Sequence, residues 1–84
     1  MIPSYRELEL VVTELERAKA KHPNWPTDII HAAAIVGEES GELTRACLRY
    51  KYEGGLLNNS LTEAIHTAAT AIRFIENYLE GNYE

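Results

Sequence analysis

The chain reads as three apolar stretches with helical spacing, separated by short breaks. In the first, Tyr5, Leu8, Val12 and Leu15 recur on one face, and Val11 and Ala18 widen it. Ser4 followed by Glu7 forms a capping-box pattern, so the first helix is expected to start at Ser4. Pro23 ends it, because the residue before a proline is pushed out of the helical region. Asn24-Trp25-Pro26 reads as a turn. Thr27 is the expected N-cap of a second helix, with Asp28 complementing its dipole. That helix runs to about Tyr52, where Gly54-Gly55 stops it. Leu56 to Asn59 reads as a loop, and Asn59 or Ser60 is the expected cap of a third helix reaching Tyr78 or Leu79. Strand pattern is almost absent, since Ile29-Ile30 is too short. The expectation is a single all-α domain over residues 1–84.

The third helix has an unusual surface. Ile65, Ala68, Ile72, Ile75 and Leu79 make one apolar face, and Ala64, Ala71, Phe74 and Tyr78 make a second. A polar stripe of Glu63, His66, Thr70, Arg73 and Asn77 runs between them. A helix that is apolar on two sides is expected to be surrounded by other helices. The polar stripe then lines an interior cleft. Three helices from one chain are too few to surround it, so a helical bundle completed by oligomerisation is predicted. Gly37 and Gly41, four apart inside the second helix, each cost roughly 1 kcal/mol against alanine, which suggests the close approach of another helix.

Composition narrows the function classes. A chain of 84 residues buries a limited core alone, and association is a common remedy. A net charge of −5 argues against nucleic acid as the partner and suits a protein that holds divalent cations. One cysteine, Cys47, excludes an internal disulfide and points to a reducing compartment. It sits on the apolar stripe of the second helix, where an inert core residue is expected. No apolar run is long enough to span a membrane, and no basic-then-apolar signal pattern opens the chain. The cytoplasm is the expected location.

The chemistry concentrates in the second and third helices. Ala32, Val36, Leu43, Cys47 and Tyr50 form one apolar stripe, and Glu39 falls at its edge, level with Ile35 and Ala46. A carboxylate turned towards a core is costly unless a cation or strong donors neutralise it. Glu39 and Glu42 are three apart and share one side of their helix, and Glu63 and His66 repeat that spacing on the next. Two such pairs on facing helices can converge on a metal, and oxygen-rich ligation suits Mg²⁺ or Mn²⁺. Glu38 is rotated by roughly 100° from Glu39 and is placed to join a second metal or to accept a proton from water. Arg45, Arg49 and Lys51 follow the acidic run, and Arg73 shares a stripe with Glu63 and His66. Arginine's fixed fork suits phosphate oxygens, which favours Arg73 as the phosphate contact. Trp25 or a tyrosine offers a stacking surface for a base.

The run Glu38-Glu39-Ser40-Gly41-Glu42, followed after twenty residues by Glu63-Ala64-Ile65-His66, resembles the MazG-type nucleotide pyrophosphohydrolases. That family is marked by Glu-Glu-x-x-Glu, a spacer and Glu-x-x-Asp on an all-α bundle. Trp25-Pro26 and the stretch His31 to Glu39 look like its small phage and bacterial members. The resemblance covers the second and third helices and, loosely, the first. It implies Mg²⁺-dependent hydrolysis of a nucleoside triphosphate between the α and β phosphates, clearance of non-standard nucleotides, and assembly as a homodimer or homotetramer. Carried over by position, it implies Glu39, Glu42 and Glu63 as metal ligands and Glu38 as an acidic group near the attacking water.

The chain departs from the family at His66, where the pattern has aspartate. Three readings of His66 stand: a direct ligand when neutral, a phosphate contact when protonated, or the mark of a site without activity. Direct ligation predicts a shift in preference from Mg²⁺ towards Mn²⁺. Bland readings stand beside the sharp ones. Glu7, Glu9, Glu14 and Glu16 read as solvated helix glutamates. Ser60 to Glu63 is itself a capping box, which alone accounts for that glutamate. Arg45 and Arg49 fit solvated rim charges, Arg73 fits the neutraliser of a buried glutamate, and Trp25 fits a loop anchor. Two further classes are a catalytically silent nucleotide-binding or interaction module and a purely structural bundle without metal.

Overall fold

The computed structural model describes residues 5–84. The expected cap at Ser4 lies outside the described residues. The fold is all-α and consists of α1 (Tyr5–Lys21), α2 (Ile29–Tyr52) and α3 (Leu57–Leu79). α3 packs against both α1 and α2, while α1 and α2 do not pack against each other among the described residues. Among them no helix is long and apolar enough to cross a membrane.

The boundaries follow local chemistry, with two corrections. The last turn of α1 closes with His22 N donating to Ala18 O at 2.8 Å, immediately before Pro23. The cap of α2 is Asp28, not Thr27. Its carboxylate accepts from the backbone N–H groups of Ile30 at 2.8 Å and His31 at 3.3 Å, satisfying two orphan donors of the first turn. α2 stops where Gly54 takes φ +74°. Gly55 then folds back so tightly that a Cβ would lie 3.1 Å from Arg49 backbone carbon. This reversal starts α3 early. Its cap is Leu56, which provides no side-chain hydrogen bond, and neither Asn59 nor Ser60 fills that role. Ser60 Oγ instead donates to Leu57 O at 2.6 Å inside the helix. The capping-box explanation of Glu63 therefore falls.

Packing turns α1 away from its expected face and keeps the expected stripes of α2 and α3 inward. Ala32 and Ala69 are buried at the α2–α3 side and Leu15 is buried on α1. On α1 the covered residues are Val11, Glu14, Leu15 and Ala18, so the side expected only to widen the face is the packed one. Tyr5, Leu8 and Val12 are exposed. On α2 the covered stripe is Ala32, Ile35, Val36, Glu39, Leu43 and Ala46. Glu39 thus lies inside the stripe. Cys47 is exposed, which corrects its reading as a core residue. On α3 the polar stripe is the covered side: Arg73 is buried and Glu63, His66, Thr70 and Asn77 are half-buried. The outer residues Leu61, Ile75, Tyr78 and Leu79 are exposed. Among the described residues of one chain, a Cβ added at Gly37 or Gly41 would meet nothing within 4 Å beyond the helix's own backbone.

Past α3 the chain reverses through a Schellman motif. Gly81, at φ +71°, donates to Tyr78 O at 3.1 Å, and Asn82 donates to Asn77 O at 2.9 Å. The reversal brings Tyr83 back onto Phe74, with ring centroids 5.1 Å apart.

Candidate metal centre

The i,i+3 spacing puts Glu63 and His66 on one side of α3, and that side faces the covered stripe of α2. His66 Nδ1 lies 3.3 Å from Glu63 Oε1 and 3.9 Å from Glu39 Oε2. One ligand-type atom from each of Glu39, Glu63 and His66 falls within 4.8 Å of the others. All three side chains are half-buried, so their charges are screened less than those of an open surface.

α1 contributes a further group to the same place. Glu14 Oε2 sits 3.6 Å from His66 Nε2. Arg17 grips that carboxylate in a bidentate fork, with Nε at 2.8 Å from Oε1 and Nη2 at 2.7 Å from Oε2. The reading of Glu14 as a solvated glutamate is corrected, since only 15% of its side chain is exposed. A signal existed in the sequence: Glu14 falls between Val11 and Ala18 at spacings of three and four, on the packed face. Which way that face turned was not readable from α1 alone.

Two electrostatic consequences follow. Burial pushes the Glu39 carboxyl above its ordinary range; His66 opposes this, and the charges of Glu63, Glu42 and Glu38 reinforce it. The Arg17 hydrogen bond holds Glu14 below its ordinary range. Nearby hydroxyls do little for the cluster. Thr67 and Thr70 donate to the carbonyls of Glu63 and His66 on their own helix, at 2.8 Å and 2.7 Å.

The other predicted residues divide by position. Glu38 is exposed and reaches the cluster only through its charge. Glu42 is not grouped with the three converging ligands. It is exposed and lines a neighbouring groove of about 260 Å³ with Arg45, Arg49 and Glu63. Glu63 therefore borders both the cluster and a doubly basic groove. Lys51 lies over the Tyr52 ring at 5.5 Å, and does not line that groove.

Arg73 and Trp25 sit together at the far end of the cleft that Glu39 and His66 also line. The Arg73 guanidinium lies 4.9 Å from the Trp25 ring centroid and donates to His22 O at 3.0 Å. Trp25 Nε1 donates to the Tyr83 hydroxyl at 2.9 Å, which in turn donates to Phe74 O at 3.0 Å. Both side chains are thus engaged in holding the α1–α2 connection and the C-terminal segment onto α3. Arg45 and Arg49 are exposed and line the groove that Glu63 borders.

The donor set fits a divalent cation. Arg17 offsets the charge of Glu14, which leaves the Glu39 and Glu63 carboxylates beside the His66 imidazole. Two carboxylates and one ring nitrogen suit Mg²⁺ or Mn²⁺, and the nitrogen favours Mn²⁺. No protein-family model, no curated protein and no solved structure matches the chain.

Proposed function

We propose that this protein is a cytoplasmic, metal-dependent nucleoside or deoxynucleoside triphosphate pyrophosphohydrolase of the MazG-like type. The observation that carries the reading is the convergence of Glu39, Glu63 and His66 from two helices within 4.8 Å. Glu39, Glu63 and His66 would hold the cation, with Glu42 one turn further along α2. When bound, the cation supplies Lewis-acid polarisation of the phosphate oxygens. Arg45 and Arg49 bind and orient the triphosphate in the groove that Glu63 borders. Glu38 accepts a proton from the water that attacks the α-phosphorus. The bond from that phosphorus to the bridging oxygen breaks, and pyrophosphate leaves with the electron pair. The products are a nucleoside monophosphate and pyrophosphate, consistent with clearing unwanted nucleotides.

The same reading has a second copy of the chain completing the bundle as a homodimer or homotetramer. Support comes from the exposed Leu61, Ile75, Tyr78 and Leu79 on the outer faces of α3. Pyrophosphate release from mixed NTPs and dNTPs, with Mg²⁺ or Mn²⁺, tests the activity. Release that disappears in Glu63→Gln supports it; no release with any substrate contradicts it. One observation favours a silent nucleotide-binding module instead. His66 stands 3.3 to 3.9 Å from three carboxylates, where an imidazolium would itself serve as the counter-charge. That reading predicts nucleotide binding without turnover, with stability and nucleotide binding unchanged in Glu39→Gln; no effect of divalent cations on stability marks the purely structural bundle instead.

A further inference from the structure

We infer that Glu14 is a positioning residue that fixes the His66 ring so that Nδ1 is the nitrogen offered to the cation. The inference rests on the cation reading above. The imidazole is flanked on opposite sides. Its Nε2 faces Glu14 at 3.6 Å, while its Nδ1 faces Glu63 at 3.3 Å and Glu39 at 3.9 Å. A neutral imidazole has one N–H and one lone pair. With a cation held between Glu39 and Glu63, the Nδ1 lone pair would turn to it and the ring proton would sit on Nε2, where the Glu14 carboxylate is the group placed to accept from it. A histidine ligand that donates its other N–H to a carboxylate is held in one tautomer and made a stronger base.

Glu14 is itself held. The two Arg17 bonds, at 2.8 and 2.7 Å, take one lone pair from each carboxylate oxygen and fix the plane of the group. Oε2 keeps further acceptor capacity towards His66. The line Arg17, Glu14, His66 therefore runs from the exposed rim of α1 into the cleft. α1, which supplies none of the three converging ligands, enters the site through this line.

The positions of α1 and α3 explain why the device suits histidine. An aspartate at position 66 has no second donor to be oriented from behind. A histidine does, and the residue behind it in this chain is a half-buried carboxylate.

The test combines Mn²⁺ titration calorimetry with ¹⁵N NMR of the His66 ring at pH 8, the latter on Mg²⁺-loaded protein. Wild type is expected to carry the ring proton on Nε2. Glu14→Gln is expected to bind Mn²⁺ roughly 10- to 100-fold more weakly, and to lose the single-tautomer ring signature. Arg17→Gln, which leaves the carboxylate but frees its plane, is expected to weaken binding less, and Glu14→Asp to restore part of it. Wild-type affinity and tautomer in Glu14→Gln would overturn the positioning role while leaving the cation site standing. Absence of Mn²⁺ binding to wild type would remove both.

Discussion

The two ends of the α3 polar stripe are built from similar residue types and behave differently. At the Arg73 end no buried side-chain polar atom among the described residues lacks a hydrogen-bond partner. The guanidinium meets the Trp25 ring and the His22 carbonyl, Asn77 Nδ2 donates to Arg73 O at 2.9 Å, and the Trp25–Tyr83–Phe74 line closes the remainder. At the Glu63–His66 end carboxylates outnumber cations, and burial already raises the Glu39 carboxyl. A satisfied buried polar cluster holds a fold together. An unbalanced one is relieved by a proton or by a bound cation. The comparison separates an anchoring arginine from candidate ligands that the stripe alone made look equivalent.

The largest expected effect lies at the unbalanced end. Glu63→Gln or Glu39→Gln should lower kcat for pyrophosphate release by about 10²-fold or more, as expected when a transition-state charge contact is removed. The same substitutions should leave the cation-free protein at least as stable as wild type, because they relieve like-charge crowding. Urea midpoints and turnover measured on the same preparations check this. A parallel loss of fold would place Glu39 and Glu63 with the structural end.

Arg73→Met should show the reverse pattern. It keeps the apolar stem and removes the guanidinium, so His22 O and the Trp25 ring lose their partner. A loss of about 2–3 kcal/mol in urea unfolding is expected, from one charge-assisted hydrogen bond and one cation–π contact. Tyr83→Phe should cost about 1 kcal/mol, since the hydroxyl links Trp25 Nε1 to Phe74 O. Neither variant should change cation affinity in a calorimetric titration.

The smallest effect is in pH dependence. Glu39 keeps its proton to higher pH folded than unfolded, so the folded chain binds more protons just above the ordinary value of 4.5. Stability of the cation-free protein therefore falls as pH rises through that window. Glu14 acts oppositely: its contribution is complete above 4.5 and is lost as pH falls through its lowered folded-state value. Unfolding midpoints of Glu39→Gln against wild type should diverge above pH 4.5 by on the order of a few tenths of a kcal/mol, given solvent screening of a partly exposed group. His66→Asp sharpens the metal side of the comparison. Turnover should prefer Mn²⁺ in wild type and move towards Mg²⁺ in the variant; equal use of Mg²⁺ by both would remove His66 from the ligand set.

Much of this layout was legible from residue spacing. Period-3.6 patterning located three helices, and the repeated i,i+3 spacing singled out the pairs Glu39–Glu42 and Glu63–His66, of which Glu42 does not join the converging three. Three things were not readable, for separate reasons. The start of α3 is set by the backbone reversal at Gly54-Gly55 and not by a capping side chain, so no cap residue marks it. Glu14 depends on how α1 is rotated against α3, which both of its apolar flanks permitted. Arg73 and Trp25 find each other through the C-terminal reversal at Gly81, a long-range arrangement that local pattern does not encode.

Anomalous diffraction from a Mn²⁺-soaked crystal tests the central claim most directly. The expected result is a peak bounded by the Glu39 and Glu63 carboxylates and the Nδ1 of His66. A map without a peak between those three side chains, at a Mn²⁺ concentration that supports turnover, would contradict the account.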